Sequence, residues 1–398
     1  MIKPIEGRLL VTGGAIGDIP TIQIAQEMGL EIFTSGNRPQ DPGHRIVDQY
    51  IGADYTDVTG IAKLVRDQKI DFIIPSCHDT AYITAAAVAK IYSLPGFDDP
   101  KISVMIHRKD ELALGITNAG LPGIETRIIR DYQSAIEFFN SCGGALVIKP
   151  SDMTGGRGVS FVNNEKDLRS ALKFAKDSSF SKKVLAQEYI EGSEHGFTSI
   201  IRNQKVIFSF FDDEYRYMNR YRVAGTLHPS SIDEESKYYL KNWVETFSEY
   251  YKLIDGLIHV QFIQLASGPK ILEVCRRPPG DFYPYFVESA TGIPYIKSFI
   301  LGFMGLPIPT PLLDEPKNWI TLRHVVLADR NGIYKGLSIS ETFARNVTFK
   351  SEFKTRGERV TSYLTETLAI FILKVPFDQK DKVVMDIHKL IVPIVEGS

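Results

Sequence analysis

The chain holds little that would commit it to a specialised environment. Its three cysteines, Cys77, Cys142 and Cys275, lack metal-ligand spacing and are odd in number. They exclude a disulfide framework and point to a reducing compartment. Neither sign of charge dominates: 46 Lys and Arg against 48 Asp and Glu give a formal net charge of −2. No global field therefore draws the chain to nucleic acid or to an anionic membrane surface. The N-terminal Met-Ile-Lys-Pro-Ile-Glu-Gly has no signal-like apolar run, and no stretch approaches the length of a membrane span. The expectation is a soluble cytoplasmic enzyme of small molecules, with neither nucleic acid nor membrane as partner. What is present is length: 398 residues, 43% hydrophobic, suffice for two or three domains around a large core.

From Arg8 onward, short apolar strands alternate with amphipathic helices. The pattern predicts strands at Leu9–Thr12, Glu31–Thr34 and Phe72–Pro75, with helices near Ile19–Met28 and Ile61–Gln68. Strands separated by helices imply parallel βαβ units, hence a doubly wound domain ending near Pro122. Gly13-Gly14-Ala15-Ile16-Gly17-Asp18 follows the first strand, and its amides could hold a phosphate. Its spacing only partly matches a dinucleotide fingerprint, so a tight turn is the plainer reading. Ser76-Cys77-His78-Asp79 lies at the carboxyl end of a strand, where open α/β sheets place ligands. Asp79 is a candidate substrate contact there, and His78 reads as a loop residue.

The middle of the chain changes character. An apolar strand ends at Lys149, and Gly155, Gly156, Arg157 and Gly158 follow before a second strand, Val159–Val162. Three glycines in four positions let backbone amides approach phosphate oxygens, and Arg157 adds charge. A flap over a nucleotide and a plain hairpin turn both fit this stretch. After a helix at Glu165–Lys176, a strand from Val184 runs through Gln187, Glu188 and Ile190 to Glu194. Its exposed backbone could pair with a base and Glu194 with ribose hydroxyls, although an acid-rich surface strand explains the same residues.

Residues 261–280 read as strand, turn, strand. On the second strand Glu273, Cys275 and Arg277 share one face, and Leu272, Val274 and Arg276 the other. A carboxylate for a hard metal ion and a planar cation for developing phosphate charge complement each other. Tyr215 to Arg222 interleaves three tyrosines with three arginines. It reads as a loop near the site, where Arg222 or His228 could touch phosphate or substrate. Gly280 and the aromatics that follow border the substrate side, with core or rim packing as the plain alternative. His259 shares the metal-facing side of its strand and fits either a phosphate contact or a structural role.

Taken in order, Lys109 before a helix, Lys149, the Gly155–Gly158 loop, Gln187 to Glu194, and Glu273 with Arg277 resemble the ATP-grasp superfamily. The likeness is to its carboxylate–amine ligase branch, near bacterial L-amino acid ligases and more distantly biotin carboxylase. Arg108-Lys109-Asp110 with Gly120-Leu121-Pro122, and Val147-Ile148-Lys149-Pro150, match segments of that family. The resemblance implies a fold of mixed α/β and α+β class. Its parts would be a doubly wound domain over 1–122, a lid subdomain over 123–190, a large grasp subdomain over 191–317, and an antiparallel part over 318–398. It implies ATP and Mg²⁺ as cofactors. Lys109, Lys149 and the Gly155–Gly158 loop would hold phosphates, Gln187 and Ile190 would flank adenine, backbone near Glu188 would read the base, and Glu194 would bind ribose. Glu273 and Gln261 would face the metal, and Arg277 would stabilise an acyl-phosphate.

Two departures stand out. The family normally places a carboxylate at the position of Gln261 and an asparagine at that of Cys275. An amide supplies one neutral oxygen and a thiol suits a hard ion poorly, so one firmly held magnesium is expected, with a second weak or absent. The implied activity joins a carboxylate to an amine, with amino acids as candidate substrates, releasing ADP and phosphate, and the branch often forms homodimers. A carboxylating or formylating ligase, and a nucleotide-binding protein without catalysis, remain as alternatives.

Overall fold

The computed structural model describes residues 5–153, 156–219, 221–311 and 318–397. At the N-terminus, strands Gln49–Ile51, Glu31–Ser35, Arg8–Thr12 and Phe72–Pro75 lie side by side in that order, all parallel. The doubly wound reading is correct. The second helix starts at Val58, earlier than its apolar periodicity suggests, because the Asp57 carboxylate caps it by accepting the Thr59 N–H. Thr12 pairs with Pro75, so the chain leaves two adjacent strands at the point where strand order reverses. This sets the Gly13–Asp18 loop beside Ser76–Asp79, at the customary ligand edge of such sheets.

Residues 126–188 form a separate layer. Four antiparallel strands, ordered Thr126–Ile129, Val184–Glu188, Leu146–Pro150 and Ser160–Val162, carry helices Tyr132–Ser141 and Glu165–Ser178. Phe138, Leu146, Ile148, Val162 and Leu168 close a core of their own.

The largest element is an eight-stranded antiparallel sheet. Its order is Gly268–Cys275, Gly256–Leu265, Ser193–Arg202, Lys205–Tyr215, Gly225–His228, Trp319–Leu327, Thr367–Pro376 and Val347–Glu352. The last three strands come from the C-terminal part, which also builds a three-stranded sheet of its own. One face of the large sheet is apolar: Phe197, Ile258, Val260 and Val274 pack with Trp243, Val244 and Phe247 of helix Glu234–Tyr251. Along the opposite face run Asp212, Glu214, Gln261, Glu273, Arg277 and Arg323. The same face also carries Ile200, Phe208, Phe210 and Leu257, which pack in a second core with Phe286, Tyr295 and Phe299.

Arg276 and Arg277 show how the alternation works. Arg276 is 3% exposed and gives Asp98 two bonds, Nε to Oδ2 at 2.9 Å and Nη2 to Oδ1 at 3.4 Å. It also caps the carbonyls of Leu257 and Ile254, so it is a structural pin between sheet and N-terminal domain. Its neighbour turns to the polar face. No helix among the described residues is long and apolar enough to cross a membrane.

Candidate active site

Glu273 stands directly opposite Gln261 across two antiparallel strands, and Cys275 opposite His259. The register shifts between Gln261 and Phe262, a bulge of the kind that re-aims side chains beside functional sites. Lys109, the first residue of helix Lys109–Asn118, brings Nζ to 3.4 Å from Glu273 Oε1. Burial works against the charge of Lys109, but Glu273 and then Asp79 more than offset it and raise its pKa.

Asp79 opens helix Asp79–Tyr92, and its Oδ1 accepts from Arg277 Nε at 2.6 Å. Burial penalises the Asp79 charge, yet Arg277, then His107 and Lys109, hold its pKa down at about 2. Arg277 is thereby fixed by a carboxylate of the N-terminal domain, while Glu273 also lies in its field.

Lys149 lies on the strand Leu146–Pro150 of the 126–188 layer. It is 7% exposed and donates to Gln187 Oε1 at 2.9 Å, while Gln187 Nε2 donates to Thr126 Oγ1 at 2.9 Å. Burial, reinforced by Lys109, lowers the Lys149 pKa to about 7. The structure therefore gives Gln187 a definite task in holding this lysine. The N–H groups of Glu188 and Tyr189 are taken by the carbonyls of Glu125 and Ala145, and Ile190 follows just beyond the strand end.

In the glycine loop, Gly155 lies outside the described residues. Gly156 and Gly158 have φ of +72° and +74°, a region costly for residues with a Cβ. A Cβ on Gly156 would also come within 2.6 Å of Tyr221, whose hydroxyl accepts the Phe161 N–H at 2.8 Å. The loop is thus seated against the Tyr215–Arg222 segment, and Arg157 lies close enough to act on the charge of His78.

Other sequence candidates are placed as follows. Glu194 is ion-paired with Arg216. Arg222 binds the Thr365 carbonyl and Thr367 Oγ1 and lies 3.8 Å from Asp281, tying this segment to the C-terminal part. His228 stacks on Phe210 and pairs through Nδ1 with the Phe211 carbonyl at 2.9 Å, its pKa lowered by burial. Gly280 packs against the N-terminal glycine loop, its Cα 3.3 Å from where a Cβ on Gly17 would be. Burial lowers the His259 pKa to about 3 and raises that of Cys275 to about 12, so both are neutral.

Sequence reasoning missed Asp212, Glu214 and Arg323. Phe208, Phe210, Asp212 and Glu214 alternate on one face of the strand Lys205–Tyr215; two acids continuing an apolar stripe were the available signal. Asp212 is fully buried and accepts from the Tyr283 hydroxyl, with Oδ1 unpartnered. Burial, helped by Glu214, pushes its pKa up to about 8. A carboxyl with a raised folded pKa favours the fold at low pH and loses that contribution as pH rises to the folded value. Asp212→Asn is thus expected to gain stability relative to the parent progressively from about pH 4 to about pH 8. Thermal melts across that range read the effect, and parallel pH curves for the two proteins would count against it.

Residues 124–281 match the family model of the ATP-grasp domain. Among curated proteins, the chain is 27% identical over 279 residues to phosphoribosylamine–glycine ligase of Methanopyrus kandleri, covering 63% of this chain and 62% of that one. It is 24% identical over 221 residues to the C-terminal section of the carbamoyl phosphate synthase large chain of the same organism, covering 54% and 40%. The matches thus span less than two thirds of these relatives' own lengths. The fold is similar end to end to that of L-amino acid ligase from Bacillus licheniformis, with TM-score 0.80, 14% identity and coverage of 99% and 100%. Phosphoribosylglycinamide synthetase from Anaerococcus prevotii gives 0.78 at 17% identity, covering 98% and 100%.

Proposed function

We propose that this chain, an ATP-grasp protein by its matched domain and by its fold, is an ATP-dependent ligase joining a small carboxylate to an amine. The observation that carries this reading is the convergence of three cations on one carboxylate. Lys109 contacts Glu273, and both Lys149 and Arg277 lie within its electrostatic reach. Polyphosphate chemistry needs that distribution, because the protein's main task is to position and neutralise charge.

Magnesium fits the site. Glu273 and Gln261 offer adjacent oxygens on a partly exposed row, and magnesium takes one or two protein oxygens, with phosphates and water supplying the rest. Glu273 and Gln261 would hold it, and the chemistry it would supply is neutralisation of the phosphates' charge.

In the proposed reaction a carboxylate oxygen bonds to the γ-phosphorus as the bond to ADP breaks. The amine then attacks the acyl carbon, phosphate leaves, and the amine nitrogen loses its proton. Lys109 and Lys149 would screen the phosphates, and the Gly155–Gly158 loop would close over them and exclude water. Arg277, planar and permanently charged, would hold the acyl-phosphate oxygens and the oxyanion that follows. The fold likeness to an L-amino acid ligase favours amino acids as substrates. Incubation with ATP, Mg²⁺ and pairs of amino acids should release ADP and phosphate only when both acceptor classes are present. Formation of AMP, or nucleotide binding without turnover in any pair, would overturn the reading.

A further inference from the structure

Gln261 holds an unusual place in the polar row. Its Nε2 donates to both oxygens of Glu214, at 2.9 Å to Oε1 and 3.2 Å to Oε2. These residues are not on neighbouring strands: Ser193–Arg202 runs between them, and there the residue opposite Gln261 is Gly196. A Cβ at Gly196 would lie 2.7 Å from Asp212 Oδ2, so this position is bare beside the buried Asp212 carboxyl. Glu214 is itself steered by Arg216, 3.8 Å away, which also pairs with Glu194.

A primary amide has one donor end and one acceptor end. With Nε2 committed to Glu214, the Gln261 carbonyl oxygen is the end of the amide left to a ligand, on a residue paired across the strands with Glu273. We propose that Glu214 is a positioning residue that fixes the Gln261 amide with its oxygen presented, beside Glu273, to the divalent cation of the nucleotide complex. The inference rests on the ligase reading for the presence of that cation. It also accounts for the residue type at 261. A glutamate there would set two carboxylates within hydrogen-bond distance of each other, whereas glutamine donates to one and still offers an oxygen to the ion.

The test is Mn²⁺ binding, followed by electron paramagnetic resonance in the presence of a non-hydrolysable ATP analogue, so no turnover is needed. Glu214→Gln retains an acceptor for Gln261 Nε2 and should bind Mn²⁺ nearly as the parent does. Glu214→Leu frees the amide to rotate and should lose about 10- to 100-fold in affinity, the usual cost of removing an outer-shell partner. Gln261→Glu alone should also weaken binding through carboxylate repulsion. Adding Glu214→Gln to it should restore binding, since the amide at 214 then donates to the carboxylate at 261. That double-variant comparison decides the matter even if Glu214→Leu does not fold. Equal affinity in parent and folded Glu214→Leu, or identical behaviour of Gln261→Glu with and without its partner change, would overturn the proposal. A parent protein that binds nucleotide but no Mn²⁺ would instead overturn the ligase reading.

Discussion

Arg277→Ala is expected to cut turnover by about 10²- to 10³-fold, the scale seen when one donor to a developing oxyanion is removed, while KM for ATP changes little. The split follows from the proposed roles, in which Lys109 and Lys149 would serve the nucleotide and Arg277 the group that forms after phosphoryl transfer. The same change strips Asp79 of its partner at 2.6 Å. Breaking a largely buried pair from one side costs about 3–5 kcal/mol, so lost activity alone would be ambiguous. Asp79 supplies the control. Its depressed pKa contributes stability above the ordinary carboxylate range, and that contribution fades as pH falls toward about 2. In Arg277→Ala the largest charge opposing burial is gone and only His107 and Lys109 still offset it, so this pH-dependent contribution should shrink. Adding Asp79→Asn should recover stability without recovering turnover. Steady-state kinetics and melts on the single and double variants check both halves; recovered turnover in the double variant would assign Arg277 a structural role only.

The sequence made the elements legible where one periodicity ruled. The alternation along 268–277 separated Arg276 from Arg277, and the structure assigns one to a buried pin and the other to the polar face. The strand and helix order of the first domain was equally readable, because parallel strands buried on both faces give short apolar runs between amphipathic helices. Boundaries moved by a few residues where a side-chain cap, such as Asp57, outweighed the apolar pattern.

Less legible were contacts that depend on how distant strands stack. Glu214 lies 47 positions from Gln261 in the chain, and the two meet across the strand Ser193–Arg202 that runs between theirs. Gln187 looked like a wall of the base pocket, and its grip on Lys149 became visible once the strands Leu146–Pro150 and Val184–Glu188 were paired. Gln187 stands opposite Val147 in that register, a relation set by pairing and not by anything local to either segment. Arg222 and His228 carry polar types that suit a site, yet each is engaged by neighbouring backbone. Residue type announces the chemistry that is available, and tertiary partners decide how it is used.

Lys149 yields the second large effect, because its burial leaves it near the point of neutrality before any ligand arrives. With a folded pKa lowered to about 7, the folded chain binds fewer protons at this residue than the unfolded chain between that value and the ordinary lysine range. By linkage, the stability of the ligand-free protein should rise with pH across the same interval. A triphosphate reverses the balance by supplying the negative charge that the pocket lacks, so its binding should draw roughly one proton onto Lys149 at alkaline pH. Calorimetry in buffers of different ionisation enthalpy measures that uptake directly. Lys149→Met keeps the stem and removes the titration. It should abolish the uptake, flatten the pH–stability curve, weaken ATP binding by about 10- to 100-fold through loss of a charge-assisted bond, and lower turnover further still. Lys149→Arg should also abolish the uptake but at a cost in stability, since a guanidinium cannot shed its charge when buried. Unchanged proton uptake in Lys149→Met would show that the nucleotide is neutralised elsewhere.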